Sequence, residues 1–125
     1  MFLDLQVSIR NFSVDSADEF ITELQNWQSA VNVLFERHRS SVNATGSIGI
    51  ELASIALNNT VLEHEIASFK HATEQGARSV SGRLPWISDI VFSQGKSLIK
   101  LYGLMEGLEG PWSEQLRADI KRLLE

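Results

Sequence analysis

The 125 residues are 43% hydrophobic and 22% charged, a balance that excludes a disordered chain and suits one domain, residues 1–125, able to bury a core without staples. The absence of cysteine excludes disulfides, thiolate metal sites and cysteine nucleophiles together. A formal net charge of -5 argues against bulk nucleic-acid binding. Residues 70–100 keep that question open, because Lys70, Arg78, Arg83, Lys96 and Lys100 outnumber Glu74 and Asp89 there.

The segment from Met1 to Arg10 lacks the basic start and apolar run of a secretory signal. Asp89, Lys96 and Lys100 interrupt the most hydrophobic region, so no membrane span is expected. A cytoplasmic location follows as the default, and the sequons at Asn11, Asn43 and Asn58 read as chance.

Leu3, Leu5, Val7 and Ile9 alternate with polar residues, a period of two that predicts a half-buried strand. Asn11 to Asp15 reads as a turn. Ser16 with Glu19 matches a capping box, and a helix follows to about His38. Its apolar face is Phe20, Leu24, Trp27, Val31 and Leu34, and Arg37 and Arg39 near its end match the helix dipole.

Ser40 to Ser47 is polar, contains Gly46 and reads as a loop. Two patterns then compete. Ile48, Ile50 and Leu52 alternate, which would make residues 48–56 a second strand and the fold α+β. Ile48, Leu52, Ile55, Asn59, Leu62, Ile66, Phe69 and Thr73 repeat at steps of four and three, which predicts one long helix from Ser47 to Arg78. The longer pattern is preferred. Thr60 with Glu63 offers a second capping box, where the helix would restart.

Ser79 to Arg83 reads as a turn, with Pro85 at the first position of the next helix. That helix runs to about Glu106. Ile87, Val91, Leu98, Leu101 and Met105 form one stripe, and Phe92 and Ile99 form a separate one. Gly107, Gly110 and Pro111 end it. A short last helix carries Trp112, Leu116, Ile120 and Leu123. The expected fold is thus mainly α: a helical bundle of three long helices and a short C-terminal helix, with one N-terminal β-strand.

Motifs for chemistry fail on spacing. Gly95-Lys96-Ser97 ends like a phosphate-binding loop, but Ile90 stands where its first glycine belongs. Glu63-His64-Glu65 lacks the second histidine four residues on. His71 comes seven later, about 10 Å along a helix from His64, too far for both to hold one zinc ion. No Gly-x-Ser-x-Gly elbow exposes a serine, and Glu106, Glu109 and Glu114 have no catalytic spacing. No metal or cofactor is expected.

Asn59 occupies an inward position of the long seam, where it either fixes register or oligomer state or caps a restarted helix. Trp27, Trp86 and Trp112 read as core, with Trp86 or Trp112 able to serve as a partly exposed binding anchor.

A lone strand leaves backbone groups unpaired, and a separate apolar stripe on the third helix lacks a cover. Both predict association. The expected function is a non-enzymatic protein-interaction or regulatory module acting as a homodimer, with Leu3, Leu5, Val7, Ile9, Phe92 and Ile99 at the interface. The alternative is a small enzyme or ligand-binding protein with a site between helices near His64 and His71. Nucleic-acid binding through the basic middle segment is the weaker alternative.

Overall fold

The computed structural model describes residues 1–38, 46–108 and 110–125, and the backbone alone of 77–79. The elements are α1 (Phe2–Arg10), a 3-10 turn (Val14–Ser16), α2 (Ala17–His38), α3 (Gly46–Gln75), α4 (Ala77–Leu104) and α5 (Pro111–Leu124). The mainly α expectation holds, and no strand occurs among the described residues. None of their helices is long and apolar enough to cross a membrane.

Successive helices run antiparallel. Phe20 of α2 meets Phe69 near the end of α3, and Glu51 near the start of α3 meets Lys100 near the end of α4. Arg117 of α5 reaches back to the Met105 carbonyl just past α4. The core between them includes Leu24, Trp27, Ile55, Leu62, Phe69 and Leu98, all essentially without solvent contact.

The N-terminal strand is the main correction. Residues 2–10 are helical, because a second periodicity runs through the same residues. Phe2, Leu5, Ile9 and Phe12 recur at steps of three and four. Phe2 and Leu5 are buried, and Ile9 and Phe12 pack against the core. Burying the two full side chains is worth roughly 1.5–3 kcal/mol each. The helix also pairs its backbone groups internally, whereas a lone strand would leave them unpaired. Phe2 stacks at 5.6 Å on Trp27 and lies over Gly95 so closely that a Cβ there would overlap its ring. Gly95 is therefore a seat for an aromatic side chain.

α3 passes through Asn58-Asn59-Thr60 without a break. Thr60 returns its hydroxyl to the Ala56 carbonyl at 3.3 Å, the bond of a mid-helix threonine. Residues 48–56 are thus helix, and the restart at Thr60 is not formed. Nor does Ser16 form a capping box: its hydroxyl donates to the Ser13 carbonyl at 3.1 Å. Of the loop expected at Ser40 to Ser47, residues 40–45 lie outside the described residues, and Gly46 and Ser47 already belong to α3.

The turn expected at Ser79 to Arg83 lies earlier, at Gly76 alone. Its φ of 114° is open to glycine and strained for any side chain. α4 starts directly after it, so Pro85 sits inside the helix instead of opening it. The proline lacks the N–H that would bond four residues back, but it is exposed, as is Ser81, whose carbonyl water can satisfy. Pro111 does take the first helical position, in α5 after Gly110.

Candidate functional site

Among the residues singled out from the sequence, the structure gathers Leu3 of α1 with Phe92 and Ile99 of α4. They line one groove of about 410 Å³, together with Phe2 and Leu124 of α5. Leu3, Phe92 and Ile99 are 58%, 48% and 57% exposed, so they form a real apolar surface between three helices. Gln6 and Lys96 supply its polar edge, and the Lys96 ammonium sits 5.2 Å above the Phe92 ring, a cation–π contact. Val7 is exposed on the outer side of α1. Leu5 and Ile9 do not join this surface: Leu5 is buried and Ile9 half-buried, because both face the core.

Asn59 is buried and central. Its amide nitrogen donates to the Gln28 carbonyl at 3.0 Å and to Asn32 Oδ1 at 2.7 Å, and its Oδ1 accepts from Gln94 Nε2 at 2.9 Å. Gln94 Oε1 in turn accepts from Trp27 Nε1 at 2.8 Å. The chain of bonds ties α2, α3 and α4 together. Asn59 therefore caps no helix, and its polar atoms are met within the chain.

A second polar cluster, outside the residues singled out from the sequence, lies at the end of α2. Asp119 of α5 is buried. It accepts from His38 Nε2 at 2.7 Å, from Gln115 Nε2 at 3.0 Å and from Arg37 Nη1 at 3.1 and 3.2 Å. Burial by itself pushes the Asp119 carboxyl up. The hydrogen bonds from His38, Gln115 and Arg37, with the charge of Arg37, outweigh it and hold the carboxyl below its ordinary value of 3.8. An ionised carboxylate only accepts, so His38 carries a proton on Nε2. One sequence signal was available. Asp119 interrupts the Leu116–Ile120–Leu123 face, and His38 extends the Trp27–Val31–Leu34 face by one step of four.

His64 and His71 are both exposed on α3. His71 Nδ1 lies 3.8 Å from Glu74 Oε2, a loose surface pair. His71 does border a shallow cleft with Gly82, Arg83 and Trp86, but His64 does not. Trp86 is exposed, Trp112 half-buried and only Trp27 is core, so the core reading fails for Trp86. Three of the basic residues of 70–100 go to different partners, while the side chain of Arg78 lies outside the described residues. Arg83 and Lys100 turn to Glu65 and Glu51 of α3 at 3.7 and 2.8 Å, while Lys96 stacks over Phe92 beside α1. Glu106 and Glu114 are exposed, and Glu109 lies outside the described residues, as do Arg39 and Asn43. A scan of protein-family models, a search of curated proteins and a search of solved structures each found no match to this chain.

Proposed function

We propose that the chain is a non-enzymatic interaction module that works as a homodimer through the face built by α1 and α4. The observation that carries this reading is the convergence of exposed Leu3, Phe92 and Ile99 on one groove. Contiguous exposed apolar surface is the usual mark of a docking site, and hydrophobic area left in water forfeits roughly 25 cal/mol per Å².

The occupant is a second copy of the same chain. α1 carries Asp4 in its first turn and Arg10 in its last. When α1 lies antiparallel to its copy across a two-fold axis near Val7, each Asp4 faces the partner's Arg10. That arrangement makes one patch complementary to itself, as a closed two-fold interface requires. The acidic composition elsewhere does not oppose it, because this face holds both signs.

Light scattering after size exclusion tests the reading. A dimer mass is expected for the wild type at micromolar concentration, and Phe92→Asp and Val7→Asp should return the mass to the 14.0 kDa of one chain. Leu57→Asp, at an exposed apolar residue on the far side of the bundle's third helix, should leave the dimer intact. A wild type that stays at the mass of one chain on tenfold concentration overturns the proposal.

A further inference from the structure

The cavity between α2 and α5 is a different feature from the proposed dimer face and stands independently of it. Its volume is about 440 Å³, and Met1, Ala30, Val33, Leu34 and Leu123 form apolar walls. That size falls in the range of small-molecule sites, about 300–1,000 Å³. Three charged side chains also line it: Arg37, Asp119 and Arg122.

These charges do not cancel. Arg37 Nη1 lies 3.1 Å and Arg122 Nη2 4.0 Å from the same Asp119 Oδ1, so two guanidinium groups share one carboxylate. One positive charge is left over beside an apolar cavity, in a chain whose total is -5. Arg37 is also held in place. Asp119, which anchors it, is itself fixed by His38 and Gln115. Arg37 bonds Asp119 through Nη1 alone, and its Nη2 and Nε make no hydrogen bond among the described residues. That free edge of a planar guanidinium matches a carboxylate in two-point geometry.

The geometry points to a binding site for a linear amphipathic monoanion, a long-chain carboxylate whose head meets Arg37 and Arg122 and whose tail fills the space walled by Val33, Leu34 and Leu123. The apolar walls offer nothing to a small hydrated anion. The surplus charge gives a neutral alkyl chain no reason to orient. His38 and Gln115 act as positioning residues, through Asp119.

Isothermal titration calorimetry of the intact chain with dodecanoate, below its micelle concentration, tests this. Saturable one-to-one binding is expected. Acetate should give none, and dodecanol should bind at least about tenfold more weakly, the size of one charge-assisted hydrogen bond. Arg122→Gln should weaken dodecanoate by a similar factor. Val33→Asp puts a carboxylate into the wall at a site 56% exposed, where the fold tolerates it, and should abolish binding. Circular dichroism verifies that both variants are folded. Dodecanol binding as tightly as dodecanoate overturns the proposal, and so does undiminished dodecanoate binding by Arg122→Gln. Sedimentation with phosphatidylglycerol vesicles separates a single chain from a lipid surface: pelleting without any dodecanoate heat also overturns it.

Discussion

Among the described residues, two buried polar clusters are built on opposite principles. The inner one runs from Trp27 through Gln94 and Asn59 to Asn32 and the Gln28 carbonyl. It is neutral, and its bonds link three helices at mid-length. The outer one, His38, Asp119, Arg37 and Gln115, is ionic and sits beside a cavity, with Arg37 half in solvent. A neutral network in the middle constrains how α2, α3 and α4 slide past one another, since any shift would leave amide groups unpaired. An ionic cluster at the edge keeps a charge poised where a ligand can reach it. The difference teaches that burial of polar groups alone does not mark a site. What marks one here is a surplus charge next to open volume.

If the inner cluster is a structural lock, its loss should be costly. Trp27→Ala removes both a fully buried ring and the donor to Gln94, and should destabilise the chain by about 3–5 kcal/mol in urea unfolding. A cost under about 1 kcal/mol would mean that the ring is not packed as described. Asn59→Ala probes the bonds with less loss of volume. It strands the buried Gln94 amide, and a loss of about 1–3 kcal/mol is expected. Asn59→Leu sharpens the contrast: rescue by the apolar residue would show that the hydrogen bonds contribute little at this position.

The outer cluster should respond to pH instead. The folded-state carboxyl of Asp119 lies below its ordinary value, so its contribution is fully present above 3.8 and is lost as pH falls through the folded value. Stability measured by urea unfolding should therefore drop on the acid side of 3.8 more steeply in the wild type than in Asp119→Asn. Parallel acid limbs in the two proteins would remove Asp119 from the account. This effect is the smallest of the three, because Arg37 is half exposed and solvent screens its charge.

Much of this was legible in the residues. The seams of α2, α3 and α4 follow from apolar spacing, and Asn59 was visible as a polar residue on an apolar stripe. The same test applied to Gln94, between Val91 and Leu98, would have supplied its partner, and applied to His38 and Asp119 would have found the outer cluster. That those two meet was not legible, since 81 positions separate them and only the packing of α5 on α2 joins them. The strand was misread because nine residues satisfy two periods at once. The helix prevails because it buries Phe2 and Leu5 and pairs its own backbone, and Gly95, far away in sequence, leaves room for the Phe2 ring. The turn before α4 was misplaced because Pro85 looked like a stronger signal than Gly76, while solvent exposure lets the proline stay within the helix.

The single-residue joint at Gly76 bears on how the chain reaches its fold. Glu65 meets Arg83, then Asn59 meets Gln94, then Glu51 meets Lys100, each pair farther from Gly76 than the last. α3 and α4 can therefore close like a zipper, each contact shortening the loop that the next must close. Loop-closure entropy rises only slowly along such a series, and local pairings of this kind make for rapid folding. α1 and α5, by contrast, pack on α4 and α2 respectively through residues far apart in the sequence, so their docking closes longer loops.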